Sequence, residues 1–218
     1  MALRDTVNFV LFDLDDTLYP KESGLFPLVS QRIDQYMVER LGLPPQEAKE
    51  LRAGYMRRYG TTTRGLQLHH QVKMDDYLHY VHDVPVEEFL SPDPKLAQVL
   101  AGIRAKKAIF TNAPKEYCWR VLCALGLEAY FDYLFALEFM NYIGKPDPQV
   151  YGKVLEALGA SAEECLIVED ISRNLMPAKQ LGMVTVLVGS EVAPYVDYAI
   201  EDITEIGLLL AEGSRGGN

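Results

Sequence analysis

Basic residues are in deficit: lysine and arginine total 21 against 31 aspartates and glutamates, for a formal net charge of −10. That balance argues against a nucleic-acid polymer or an anionic membrane as the main partner. It does not exclude a small phosphate substrate, because a bound metal reverses the sign locally. Cysteine is scarce. Cys118, Cys123 and Cys165 are odd in number and form no Cys-x-x-Cys pair, so no disulfide framework is expected and the three read as reduced core residues. No apolar run approaches the length of a membrane span, and the N-terminus lacks the cationic, apolar and small-residue layout of a signal peptide. A soluble, cytoplasmic protein is expected. Internal repeats and low-complexity tracts are also missing, and the tail Ser214–Asn218 reads as frayed.

What is present is core-forming material, with hydrophobic residues making up 49% of 218 positions. Short apolar runs alternate with longer amphipathic ones. Val7–Phe12, Ala108–Phe110, Cys165–Val168 and Val184–Val188 read as buried strands, with Tyr198–Ile200 a weaker candidate. Helical spacing covers Asp93–Arg104, Pro114–Leu125, Pro148–Leu158 and Leu175–Leu181, and three of these stop at Gly126, Gly159 and Gly182. Strand, helix, strand, helix predicts an α/β fold: a Rossmann-like parallel sheet flanked by helices. From Leu18 to Ser91 the rhythm breaks. Helices are predicted over Ser23–Leu41, Pro45–Tyr59 and Asp75–Val81, with no strand. That is too long for an ordinary crossover and reads as an inserted, all-helical cap of residues 20–91, dividing a core of residues 1–19 and 92–218.

The chemistry-bearing residues fall at strand ends. Asp13 follows Val10-Leu11-Phe12, in the stretch Phe-Asp-Leu-Asp-Asp-Thr. Thr111 and Asn112 follow Phe110, and Glu169 and Asp170 follow Val168. Ligands of open parallel sheets gather beyond the carboxyl ends of the strands, so these groups should share one crevice. Lys145, in Gly144-Lys145-Pro146-Asp147-Pro148, sits in a loop that glycine and proline can aim at the same place. Asp13 and Asp170 offer oxygen ligands suited to Mg²⁺. A carboxylate can attack phosphorus; a metal, a lysine and a hydroxyl can stabilise the transferring phosphoryl group; and a second carboxylate, Asp15, can serve as general acid and base. Taken one at a time, Asp15-Asp16-Thr17 and Glu169-Asp170 also read as caps or turns, Thr111-Asn112 as a turn and Lys145 as a solvated lysine. Asp16 is assigned no role beyond a solvated or capping one.

At these residues the chain resembles the haloacid dehalogenase (HAD) superfamily of aspartate-nucleophile phosphohydrolases. FDLDDT resembles its first motif, FTN its second, GKPDP its third and VED its fourth, in order and over essentially the whole chain. The resemblance implies Asp13 as nucleophile and Mg²⁺ ligand. It implies Asp15 as general acid/base with its carbonyl on the metal, and Asp170 as the acidic metal ligand. Thr111 and Lys145 would bind the phosphoryl group, helped by Asn112, and Thr17 would hold the first loop. A narrower likeness, carried by Tyr59–Leu66, Asp75–Asp83 and YPKESGL, is to the pyrimidine 5′-nucleotidase branch. It implies a nucleoside 5′-monophosphate as substrate. That branch usually has Asp-Asp-Ser where this chain has Glu169-Asp170-Ile171, so metal affinity or rate is expected to differ.

Other functions remain to be weighed. A sugar-phosphate phosphatase or phosphomutase shares the same core. A true dehalogenase would leave Asp15 idle. A phospho-acceptor signalling domain has no use for a long insertion, and a catalytically silent binding protein has none for the Asp13/Asp15 pair. In the insertion, His69, His70, Asp75, Asp76, His79, His82 and Asp83 crowd together. They read as an exposed polar helix face, with a zinc site as the sharper alternative. Arg64 reads equally as a contact to substrate and as a surface arginine after a threonine-rich turn. The sequence leaves the oligomeric state open.

Overall fold

The computed structural model describes residues 6–191 and 193–211; the tail expected to fray lies outside them. Six strands form one sheet: β1 (Phe9–Phe12), β2 (Lys106–Phe110), β3 (Tyr133–Phe135), β4 (Cys165–Glu169), β5 (Val184–Val188) and β6 (Tyr198–Ile200). Their order is β3-β2-β1-β4-β5-β6, with every pairing parallel. The chain runs outward from β1 to β3, then returns to β4 on the other side of β1. The reversal of strand order therefore lies between β1 and β4, where parallel sheets place their ligand crevice.

The strands are apolar on both faces because both are covered. Val10, Phe12, Ile109, Leu166, Val168 and Val186 belong to one buried cluster. The intervening Leu11, Ala108, Phe110, Ile167 and Leu187 belong to the other. This is the period-two alternation of a strand. Helices α6 (Pro94–Gly102), α7 (Lys115–Leu125), α8 (Pro148–Leu158), α9 (Ser172–Leu181) and α10 (Ile206–Ala211) accompany the sheet.

Between β1 and α6 lie only helices: α1 (Leu25–Glu39), α2 (Pro45–Tyr59), α3 (Thr62–His69), α4 (Met74–His82) and the single turn α5 (Val86–Phe89). The helical insertion is thus observed, and its apolar side chains Tyr36, Met37, Tyr77, Leu78 and Val81 join the same buried cluster as Leu11 and Phe110. The Thr62–Gly65 stretch is helical rather than a turn. Thr61 caps α3 by accepting from the Arg64 N–H at 3.1 Å. Gly65 is required there, because a Cβ would lie 2.1 Å from the Tyr55 ring. Cys118 and Cys165 are buried as expected, whereas Cys123 is exposed on α7. No helix among the described residues is long and apolar enough to cross a membrane.

Candidate active site

The strand-end residues converge. Asp13 leaves the end of β1, its N–H donating to the Val168 carbonyl of β4 at 2.9 Å. Glu169 ends β4 and Asp170 follows. One carboxylate oxygen from each of Asp13, Glu169 and Asp170 lies within 4.8 Å of the others. Lys145 arrives from the β3–α8 loop, only 1% exposed. Its Nζ stands 3.0 Å from Asp13 Oδ1 and 2.6 Å from Glu169 Oε1. Two carboxylates hold its pKa above the ordinary lysine value against the downward pull of burial. Burial raises the Asp13 carboxyl, and the Glu169 charge raises it further against the opposing Lys145. Asp170 is raised by burial and then by Asp13. Three acids and one ammonium leave two negative charges uncompensated, so this all-oxygen cluster suits a hard divalent cation.

Glu169 itself is fully buried and accepts three hydrogen bonds from protein donors. Oε1 accepts from Lys145 and, at 2.6 Å, from Asn174 Nδ2; Oε2 accepts from the Ile171 N–H at 2.9 Å. Ile171 contributes its main chain while its side chain is exposed.

Asn112 and Lys145 form a reciprocal pair. Asn112 Nδ2 donates to the Lys145 carbonyl at 3.0 Å, and the Lys145 N–H donates to Asn112 Oδ1 at 2.7 Å. Gly144 beside them has φ +78° and no room for a Cβ, which would sit 2.8 Å from Asn112 Oδ1. Thr111 is buried, and its Oγ1 accepts from the Ala113 N–H at 3.1 Å. The Thr17 hydroxyl is enclosed without a hydrogen-bond partner. Asp16 adopts a left-handed φ of 55° and is more enclosed than a solvated residue, its Oδ1 buried without a partner.

Asp15 stands apart from the acidic cluster. Its Oδ1 accepts from both Tyr19, at the end of the first loop, and Tyr117 of α7, the latter at 2.9 Å. Burial raises its carboxyl to about 7, the two tyrosine donors opposing that rise. Tyr19, Tyr117 and Asn174 carry no sequence signal. Tyr117 sits at a core-facing position of α7, indistinguishable by spacing from a packing residue. Next to Tyr117 a cavity of about 230 Å³ opens between α4 and α7, with His79, His82, Arg120 and Glu138 on its walls.

The histidine-rich segment does not assemble a metal site. Among the described residues, Asp13, Glu169 and Asp170 are the one acidic or histidine cluster with ligand spacing. His69 and His70 bond the hydroxyls of Tyr59 and Tyr55, and Asp75 accepts from Tyr142 at 2.6 Å. His82 is half-buried rather than on an exposed face; its Nδ1 donates to the Leu78 carbonyl at 2.9 Å, and burial pushes its pKa down to about 4.

Comparison with known proteins agrees with this geometry. The family model described as haloacid dehalogenase-like hydrolase matches residues 7–182. The chain is 30% identical over 190 residues, 79% of its length, to phosphate metabolism protein 8 of Saccharomyces cerevisiae, and spans 58% of that protein. It is 25% identical over 217 residues to the glyceraldehyde 3-phosphate phosphatase of Methanocaldococcus jannaschii, covering 90% of this chain and 94% of the relative. A HAD phosphatase from Thermococcus onnurineus superposes with a TM-score of 0.65 at 25% identity, over 96% of this chain and all of that one. With residues from the ends of β1 and β4 and from the β3–α8 loop drawn to one acidic crevice, and a family model spanning most of its length, the chain belongs to the haloacid dehalogenase-like hydrolase family.

Proposed function

We propose that this hydrolase cleaves small phosphate monoesters in two phosphoryl transfers through Asp13, with Mg²⁺ bound. The observation that carries the reading is the buried Lys145 ammonium shared by Asp13 and Glu169 beside Asp170. With both Glu169 oxygens already accepting from protein donors, Asp13, Asp170 and the Asp15 carbonyl would hold the ion. When bound, it would supply positive charge opposite the phosphoryl oxygens.

In the first transfer an Asp13 carboxylate oxygen attacks phosphorus and the bond to the ester oxygen breaks. Asp15 gives its proton to that leaving oxygen. In the second, Asp15 takes a proton from water, which attacks the aspartyl-phosphate; the bond to Asp13 breaks and orthophosphate leaves. Lys145 and the Thr111 hydroxyl bind phosphoryl oxygens, Asn112 holds the Lys145 main chain, and Thr17 holds the first loop. Tyr19 and Tyr117 fix the Asp15 carboxyl. Residues 20–91 act as the cap over a core of residues 1–19 and 92–218, keeping water from the first transfer and admitting it for the second.

Two substrate classes have support. A nucleoside 5′-monophosphate, a pyrimidine one first, rests on Tyr59–Leu66 and Asp75–Asp83. A sugar phosphate rests on the archaeal triose-phosphate phosphatase and on the cavity beside Tyr117. At about 230 Å³ it is smaller than the roughly 300–1,000 Å³ of most ligand sites. A phosphomutase of the same family would add a phosphorylated acceptor in place of water. The test is phosphate release from pyrimidine and purine monophosphates, sugar phosphates and an aryl phosphate, with and without Mg²⁺, beside Asp13→Asn. Release that needs both Mg²⁺ and Asp13 supports the chemistry, and the preferred ester decides between the classes. No release even from the aryl phosphate overturns it.

A further inference from the structure

A second concavity, of about 390 Å³, is lined in part by Pro146 and Asp147 and by none of the residues assigned to phosphoryl transfer, although Tyr59, Gly60 and Arg64 on its wall belong to the stretch behind the nucleotide reading. Four arginines do: Arg57 and Arg58 from the last turn of α2, Arg64 from α3 and Arg173 from α9. In so acidic a chain this is unexpected. Elsewhere Arg32, Arg52 and Arg120 each meet a carboxylate. Here no ion pair to any of the four is found among the described residues. Arg173 is fixed by main-chain carbonyls, donating to Met56 O at 2.8 Å and Gly60 O at 3.2 Å. Arg64 Nη1 donates to Gln67 at 2.5 Å, and the Arg58 guanidinium lies 5.2 Å from the Tyr59 ring centroid.

Negative charge on these walls is small. The C-terminus of α2 contributes about half a charge, which accounts for some of the attraction holding Arg57, Arg58 and Arg173 there. Asp147 is the single acid of the lining, and its carboxylate already caps α8 by accepting from the Gln149 N–H at 3.0 Å. Two of the guanidinium groups are half-buried and held in place before any ligand arrives, with N–H donors left over. Guanidinium forks match phosphate oxygens in pairs.

We propose that this cavity is a second anion site, which takes a multiply charged phosphate oxyanion and ties the helical insertion to the core through it. Arg57, Arg58 and Arg64 belong to the insertion, whereas Arg173 belongs to the core. The inference is independent of the reaction assigned to Asp13.

The experiment is equilibrium binding of orthophosphate, pyrophosphate and tripolyphosphate at constant ionic strength. EDTA is present to prevent turnover. The intact chain is compared with Arg58→Gln/Arg64→Gln and with Arg64→Lys, and thermal unfolding checks that each is folded. The wild type should take up at least one of the three in preference to chloride. The double variant should raise that Kd by about tenfold or more, and Arg64→Lys by less. Orthophosphate binding best would indicate free phosphate as the occupant; binding that strengthens with chain length would indicate a polyphosphorylated one. Equal affinities in wild type and double variant, or no uptake beyond that of chloride, would overturn the proposal.

Discussion

Replacing Lys145 by methionine keeps most of the side chain's volume and removes its charge. Lys145 is 1% exposed and Glu169 is fully buried, so Glu169 cannot recover water as a substitute, and Asp13, at 8% exposed, recovers little. Breaking one side of a buried ion pair costs roughly 3–5 kcal/mol, because the remaining charge is left uncompensated. Here two carboxylates are left, at 2.6 and 3.0 Å from the vacated ammonium position. We therefore expect a loss of about 4 kcal/mol, a large part of the ~5–15 kcal/mol that holds a domain together. For a chain of this length that lowers Tm by about 8–16 °C. The assay is urea denaturation with EDTA present, since guanidinium would screen the effect. The decisive comparison is Lys145→Met/Glu169→Gln, which removes one stranded charge and should recover at least ~1 kcal/mol. A single-variant loss below ~1 kcal/mol would refute the argument, as would a Glu169→Gln change that deepens the loss.

Tyr117→Phe removes one donor to Asp15. A hydrogen bond to a charged group contributes about 1.5–3 kcal/mol, so kcat on an alkyl phosphate should fall at least about tenfold. Hydrolysis of p-nitrophenyl phosphate, which needs little acid help, should change by less than about threefold; equal losses on both would place Tyr117 outside proton transfer. His82, with a pKa near 4 in the fold against about 6.5 unfolded, binds its proton more readily when unfolded. Its effect is absent above about pH 6.5, and stability is lost as pH falls from there toward 4. His82→Asn should flatten this decline by on the order of 2 kcal/mol in unfolding free energies from urea titrations compared between pH 7 and 4.5; parallel profiles would show that the ring is not the titrating group. Gly60→Ala should destabilise by more than ~2 kcal/mol, because φ is +84° and a Cβ would lie 2.1 Å from Pro146 Cδ. Gly54→Ala, in open space within α2, should instead stabilise by up to ~1 kcal/mol. Thermal unfolding of the pair checks both signs.

Much of this architecture was legible because it rests on local rules. Runs such as Val184–Val188 and helices with a proline start and glycine stop, such as Pro148–Leu158, have the bounds their patterns predict. The convergence of Asp13 and Asp170 followed from one topological rule about strand ends, and that of Lys145 from the glycine and prolines of its loop. What escaped depends on tertiary context. β3 is three residues long and follows a short turn, too little for a period to register. α3 was hidden by threonines and Gly65, whose lack of a side chain is explained by the Tyr55 ring packed against it. Helical spacing brings Cys123 into α7 but does not say which face meets water. The tyrosine pair on Asp15 comes from positions 98 residues apart, and no local pattern joins them.

The place of β1 in the sheet bears on how long the reactive geometry survives. β1 is hydrogen-bonded to β2 on one side and β4 on the other, and Asp13 and the Glu169–Asp170 pair stand at the ends of β1 and β4. Amide protons there can exchange with solvent only when the middle of the sheet comes apart. Those of β3, β6 and the helices between β1 and α6 have easier routes. Asp13, Glu169 and Asp170 thus sit on the part of the molecule that opens last. An exchange experiment should find the slowest amides at Val10–Phe12 and Leu166–Val168, with the helices between β1 and α6 opening earlier on heating.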